Sequence, residues 1–290
     1  MKTIRLTSLL ILFSILGSTL SAQQPPKATA QPVTETFFGK VIVDRYRNLE
    51  NLNDSTVMNW YKEQASFTEE QFSKLPIRNA ILNELRELDS KFRYTIKLVP
   101  GAFPTYRGQQ VFYVKNNPRD QSEKLVSRQT KTGKEVLIFD PNETNQSGHL
   151  NVISGFSVND NGSTVSVVII QQGKEVGRLL IIDTKSGKIV DSIMRVVAPA
   201  NWVSKNSFMY VQYHSDDVLS KRFRLNREGK EHTIGTNSVN DPIILSYENN
   251  PDIVADSTIY PDVSLPHENA KYLIALLRSV EQFNDVYVSK

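Results

Sequence analysis

Cysteine is absent from the chain, which excludes disulfides, thiolate metal centres and a cysteine nucleophile. The absence matters because the first residues read as an export signal. Lys2 and Arg5 precede an apolar run from Leu6 to Leu20, and Ser21, Ala22 and Gln23 follow as small residues with a polar exit. The run is broken by Thr7, Ser8, Ser14 and Ser18 and is shorter than the roughly 20 apolar residues that cross a bilayer. Residues 1–22 are therefore expected to be a cleavable signal peptide, with an uncleaved anchor as the alternative, and no stable membrane span is expected after cleavage. Export without cysteine suits a periplasmic or secreted setting better than a small disulfide-stapled domain. A charge excess is also missing. Against 34 Lys and Arg stand 31 Asp and Glu, and Lys2 and Arg5 supply two of the three net charges. Without a basic cluster, nucleic acid is not an expected partner.

Self-contained catalytic motifs are missing too. There is no Gly-x-Ser-x-Gly elbow, no phosphate-binding loop and no His-Glu-x-x-His helix. The four histidines, His149, His214, His232 and His267, are scattered. The best metal-like grouping is His214 with Asp216 and Asp217, but neighbouring Asp residues after a strand also suit a solvated turn. Glu69 and Glu70 suit the first turn of a helix, where they would complement its dipole. No catalytic residue, metal site or cofactor is expected.

What is present falls into two textures. Residues 23–32, QQPPKATAQP, are polar and proline-rich and read as a disordered leader. From 33 to 92 a short α-helical segment is expected. Asp54 is placed to cap a helix carrying Val57, Trp60, Tyr61 and Gln64 at 3.6-residue spacing. Thr68 and Gln71 have capping-box spacing for a second helix. Pro76 suits the first position of a third, with Ile77, Ile81, Leu85 and Leu88 as its apolar stripe. Such a stripe requires a partner surface.

Beyond Phe92, short β-branched and aromatic runs alternate with turn residues. They are 109–115, 124–130, 135–141, 163–172, 177–184, 188–196, 207–214, 221–227, 270–279 and 284–290. Asn161-Gly162 suits a two-residue hairpin turn whose central positions both need positive φ, and Lys185-Ser186-Gly187-Lys188 makes another turn. Four strands per unit of about 45 residues is the count of a β-propeller blade. The expected fold is mainly β, a partial β-propeller over 93–290 preceded by the short α-helical lead-in. A β-sandwich is the alternative.

The stretch VTETFFGKVIVDRYRNLENLNDSTVMNWYKEQ resembles the amino-terminal lead-in of the prolyl oligopeptidase family of serine peptidases. The matching positions are Asp44, Tyr46, Arg47, Leu49, Glu50, Val57, Trp60 and Gln64. Arg45, Asn48 and Asn51 stand where the family commonly has proline, tryptophan and aspartate. Later matches keep the family's order: LPIRNAILNEL as a lead-in helix, ISGFSVNDNGSTVSVVI as blade hairpins and NWVSKNSFMYVQY as a tryptophan-containing blade. EHTIGTNSVNDPIIL, with His232, Gly235, Thr236 and Asp241, resembles the stretch joining successive blades. The resemblance spans about residues 32–290.

It implies a two-part enzyme: a seven-bladed propeller capping an α/β-hydrolase domain that carries Ser, Asp and His and cleaves short peptides after proline. In the family the triad comes after the propeller, and none of it is expected in these 290 residues. The chain therefore reads as about half of a seven-bladed propeller, a fragment or truncated product of a secreted serine endopeptidase, inactive alone. Its expected partners are a hydrolase domain in cis and, in the complete enzyme, short proline-containing peptides. A non-catalytic envelope propeller that binds partners is the second reading, and the lead-in disfavours a dipeptidyl-peptidase-like relative. Arg278, in IALLRSVEQ, is matched to a propeller residue that reaches the family's substrate. The alternative for Arg278 is a strand-end arginine paired with a neighbouring carboxylate.

Overall fold

The computed structural model describes residues 24–289 apart from 119, 121, 145–149 and 172. The expected signal peptide and His149 therefore lie outside the described residues. Two compact units, residues 1–85 and 86–290, make up the chain.

In the first unit, β1 (Val33–Phe37) and β2 (Lys40–Asp44) form a hairpin. Its two turn residues both have positive φ, Phe38 at 49° and Gly39 at 78°. Such a turn matches the natural twist of the strands, but it usually recruits Gly or Asn rather than Phe. The charged core of the Asp-x-Tyr-Arg motif braces the hairpin. The Arg47 guanidinium reaches Asp44 at 3.0 Å and Glu35 at 2.6 Å, so one side chain holds both strands. The Tyr46 N–H, together with the Arg47 side chain, keeps the Asp44 carboxyl below its ordinary 3.8.

Helix α1 runs from Ser55 to Ser73. Asp54 caps it as expected, accepting from the Thr56 N–H at 2.8 Å. The second helix expected at Thr68 does not exist separately. With no breaker between Ser55 and Ser73, α1 runs straight through the capping-box residues. Glu69 and Glu70 accordingly lie near its C-terminal end, paired with Arg78 and Lys74, and not in a first turn. Residues 24–32, expected as a disordered leader, have no regular structure but are fastened at several points. Trp60 Nε1 and Gln64 Nε2 both donate to the Pro26 carbonyl, and Asn48 Nδ2 donates to that of Thr29. Helix α2 (Arg78–Ser90) starts two residues after Pro76, which thus precedes the first turn and does not open it. Its stripe of Ile77, Ile81, Leu85 and Leu88 is exposed.

The second unit holds three antiparallel sheets. The first contains β3 (Thr95–Ile96), β4 (Thr105–Arg107), β5 (Gln110–Asn116), β6 (Lys124–Gln129) and β7 (Glu135–Phe139). Next come β8 (Asn151–Val158), β9 (Thr164–Gln171), β10 (Gly177–Asp183) and β11 (Ile189–Val196), paired in chain order. Then come β12 (Asn201–Trp202), β13 (Ser207–Gln212), β14 (Glu228–Thr233) and β15 (Ile243–Ser246), also paired in order. A single residue pair, Val196 with Gln212, joins β11 to β13. The third sheet is β16 (Tyr260–Ser264), β17 (Leu273–Arg278) and β18 (Asp285–Ser289).

Face-to-face stacking of these sheets places the core. Along β10, Leu180 and Ile182 enter one apolar cluster with Phe112, Leu125 and Phe156, while Leu179 and Ile181 enter another with Trp202 and Phe208. Strand β13 repeats the pattern: Phe208 and Tyr210 face the second cluster, whereas Met209 faces a third with Leu245, Val263 and Leu277. Successive side chains of a strand point to opposite faces, so these strands are buried on both sides. That explains why VSVVII and LLII read as continuous apolar runs and not as alternating ones. Repeated stacking of small antiparallel sheets is the propeller arrangement, and the chain is mainly β with two helices, in sheets that do not close.

Three sequence expectations change here. Residues 221–227 are turns and not a strand, because β13 pairs directly with β14 and the intervening residues leave the sheet. At Asn161-Gly162 only the glycine has positive φ (75°) in a longer turn closed by Asn159. The stretch matched to a blade connection contributes β14 and β15, two paired strands of one sheet. Strands β15 and β16 fell outside the apolar runs, since IILS and YPDVS are short and polar-edged.

Stacking leaves little slack where sheets cross. A Cβ on Gly155 would meet the Gly101 carbonyl oxygen at 2.7 Å and the Pro199 ring at 2.9 Å. Gly155→Ala is expected to destabilise the chain by about 1–3 kcal/mol through overpacking, read as a lower urea midpoint with an unchanged slope.

Candidate functional site

Two polar features stand out in the second unit. The first is a buried chain of four side chains. His232, fully buried on β14, sits between two carboxylates: Nδ1 lies 2.9 Å from Asp241 Oδ2, and Nε2 lies 3.0 Å from Asp191 Oδ2. Tyr210 donates to Asp241 at 2.8 Å, and the Gly235 N–H donates to Asp191 at 2.6 Å. Four segments meet there: β11, β13, β14 and the turn before β15. Burial by itself would raise the Asp191 carboxyl, but donors from Gly235, His232 and Ser192 hold it below its ordinary 3.8. Burial, and then the hydrogen bond to Asp241 and its charge, push the Tyr210 phenol far up, so Tyr210 stays protonated and donates to Asp241. Each group in the chain has a partner, as buried polar groups require.

This chain acts as a structural lock: its members tie three strands and the turn before β15 together, and none of them lines the open cleft beside β17. His232 and Asp241 were among the residues that carried the family resemblance, but Asp191 was missed. Its signal was a lone acid inside the strand run KIVDSIMRV.

The second feature is an open cleft of about 410 Å³. Tyr213, Phe223, Tyr260 and Arg227 line it, with Arg278 and Arg224 beside them. Tyr213, Phe223 and Val176 form its apolar floor. Arg227 lies over both tyrosine rings, 5.4 Å from each centroid, a geometry in which the ring quadrupoles attract the cation. Its Nη1 donates to Tyr213 Oη at 3.4 Å and its Nη2 to the Thr258 carbonyl. Arg224 pairs with Glu175 at 2.6 Å. Burial, and then the Asp262 charge, push the Tyr260 phenol well above its ordinary value.

Arg278, the residue singled out from sequence, ends β17 on the rim of this cleft. Its Nε and Nη2 both contact Asp262 Oδ2, at 3.1 and 2.9 Å. The neighbouring-carboxylate reading of Arg278 thus describes its resting state, while half of the side chain remains exposed. Sequence reading did not find the tyrosines and Arg227. They lie on different segments, and residues 213–227 were read partly as strand.

His214, Asp216 and Asp217 do not converge. Asp217 is taken up by a turn in which its Oδ1 accepts from the Leu219 N–H at 2.9 Å. His214 lends its carbonyl to Arg195. Among the described residues no three His, Asp or Glu side chains come together as a metal site. Nor is any described helix long and apolar enough to cross a membrane.

Comparison with known proteins sets this geometry in context. Residues 25–286 match the family model of the prolyl oligopeptidase N-terminal beta-propeller domain. A prolyl endopeptidase of Elizabethkingia miricola is 22% identical over 259 residues, which is 88% of this chain and 34% of the relative. One from Elizabethkingia meningoseptica matches to the same extent. Among solved structures, a prolyl endopeptidase studied for its inter-domain dynamics superposes with a TM-score of 0.77 at 24% identity, covering 92% of this chain and 38% of that one. Prolyl oligopeptidase B from Galerina marginata, bound to a 35mer substrate, gives 0.70 at 16% identity, covering 91% and 38%. At these identities the structures speak to the fold. The chain spans about a third of the length of the curated relatives it matches.

Two outcomes test the lock. Removing the imidazole in His232→Ala leaves the buried Asp241 and the partly buried Asp191 without their shared partner, a change expected to cost about 1–3 kcal/mol in urea unfolding. Because the Asp191 carboxyl is depressed in the folded chain, its contribution is complete above its unfolded value near 3.8 and is lost as pH falls through the lower folded value. The melting temperature should therefore drop with acid below about pH 4, and Asp191→Asn should flatten that part of the curve.

Proposed function

Because the chain belongs to the prolyl oligopeptidase family, whose N-terminal propeller model it matches over residues 25–286, we propose that it is the propeller-bearing part of a secreted or periplasmic serine endopeptidase. That enzyme acts on short proline-containing peptides. The chemistry, attack by a serine assisted by histidine with an oxyanion hole stabilising the tetrahedral intermediate, belongs to a hydrolase domain in cis. This chain contributes about half of a seven-bladed propeller and the segment that docks on that domain.

The observation that carries the reading is the apolar surface displayed by the lead-in. Val41, Ile42 and Val43 are exposed on the hairpin, and Ile77, Ile81 and Leu85 are exposed along α2. Large apolar side chains left in water along two elements favour an interface over open solvent. Arg47, Asp44 and Glu35 tie the two strands of the hairpin together. Arg278 has a matching role on the propeller side. Held by Asp262 yet half exposed at the rim of an aromatic cleft, it has donors left for a peptide carbonyl.

The chain alone is expected to show no turnover of a chromogenic peptide carrying proline before the scissile bond. Activity that tracks the protein through purification would overturn that expectation. Adding a separately expressed α/β-hydrolase domain of the family should yield a complex on size exclusion with proline-specific cleavage. The double substitution Ile81→Glu and Leu85→Glu should abolish that complex while leaving the far-ultraviolet spectrum unchanged. Arg278→Ala should weaken peptide binding roughly tenfold, the scale of one charge-assisted hydrogen bond. A chain that neither docks nor binds proline peptides would exclude the peptidase assignment.

A further inference from the structure

The charges around the cleft do not balance, and the imbalance falls on one residue. Arg224 is neutralised by Glu175 at 2.6 Å and Arg278 by Asp262 at 2.9 Å. Arg227 has no carboxylate within ion-pair distance among the described residues. Its protein partners are a phenol oxygen, a backbone carbonyl and two tyrosine faces, and its Nε is buried with no hydrogen-bond acceptor. A guanidinium has five N–H donors, so three are left without a protein acceptor. A guanidinium with unused donors and no carboxylate partner is suited to receive an anion.

Pre-organisation adds to the argument. Arg227 rests against the tilted pair of Tyr213 and Tyr260, whose centroids lie 6.4 Å apart, so part of its side-chain freedom is already lost before it receives a ligand. Tyr213, Phe223 and Tyr260 supply an apolar wall that lowers the local dielectric and strengthens any charge pair formed against it. The cleft, at about 410 Å³ and open to solvent, has room for a short peptide segment.

We propose that Arg227 is a specificity-determining residue that selects peptides bearing a carboxylate, an Asp or Glu side chain close to the proline, with Tyr213 and Tyr260 holding the guanidinium in place. This rests on the proline-peptide function proposed for the chain and names the class of peptide within it. Arg227 meets the carboxylate by charge-assisted hydrogen bonds, while Arg224 and Arg278, already paired, contribute little to the discrimination.

The test is calorimetric titration of the full chain with two proline-containing, end-capped peptides that differ only in Glu against Gln beside the proline. The acidic peptide should bind about tenfold more tightly at low ionic strength, and the difference should shrink as salt is raised. Arg227→Gln should remove the difference while leaving affinity for the neutral peptide within about twofold, and Arg224→Gln should preserve it. Thermal melts establish that each variant is folded. If Arg227→Gln fails to fold, Arg227→Lys, which keeps the charge but not the fork, should retain only part of the preference. Equal binding of both peptides by the wild-type chain overturns the proposal and leaves the proline-peptide function standing. A preference that survives in Arg227→Gln overturns the assignment to this residue. Binding of neither peptide overturns both.

Discussion

Double-sided burial of the middle strands is the constraint on which the rest of the second unit depends. Strand β10 sends Leu180 and Ile182 into one core and Leu179 and Ile181 into the next, and β13 does the same with Phe208 and Met209. No strand of this kind can be stable in a single sheet. Each sheet is stabilised by the burial that its neighbours supply, and the apolar clusters run one after another through the stack. This also explains the tolerance for short connections and single-pair joints such as Val196 with Gln212. Packing across faces, supplemented by scattered hydrogen bonds such as Phe156 N–H to the Gly101 carbonyl and Asn201 Nδ2 to the Val263 carbonyl, holds consecutive units together.

Such a stack is held by non-directional forces, and its register needs directional ones. The chain from Tyr210 through Asp241 and His232 to Asp191 provides them at a place where three strands and a turn meet. A one-residue slip of β14 would turn His232 to the other face and strand two carboxylates. A similar role falls to Arg107 of β4, which donates to the carbonyls of Val158 and Asn159 and so ties the first sheet to the turn after β8. These polar groups are thus engaged, whereas Ser122 Oγ and Trp202 Nε1 are buried without a hydrogen-bond partner. At the cleft beside β17, Arg227 has no acidic partner among the described residues, and there the walls are aromatic and the space is open.

The first unit obeys a different logic. Its hairpin and two helices bury little beyond Val57, and their order comes from local devices: the Asp54 cap, the Arg47 ion pairs, and Trp60 and Gln64 gripping the Pro26 carbonyl. The residues by which the family is identified are mostly these brackets. They fix the shape of a segment whose apolar side is turned to solvent, which is what a docking element requires.

Much of this was legible in the residues themselves. Asp54 ahead of Val57, Trp60 and Gln64 specified a capped helix because capping and 3.6-residue periodicity are local. Apolar runs such as VSVVII marked buried strands for the same reason, and the ordered motifs from Asp44 to Asp241 identified the family. What the residues could not disclose were relations between distant segments. Asp191 meets His232 across 41 positions, and Tyr213, Arg227 and Tyr260 assemble one cleft from three segments. Likewise, residues 221–227 have a strand-like pattern but become turns because β13 already has its partner in β14. Local propensity and periodicity were therefore determined by the sequence directly. Which carboxylate faces which histidine, and which arginine is left without an acid, were decided only when the sheets stacked, because those contacts are set by the packing of faces and not by neighbours along the chain.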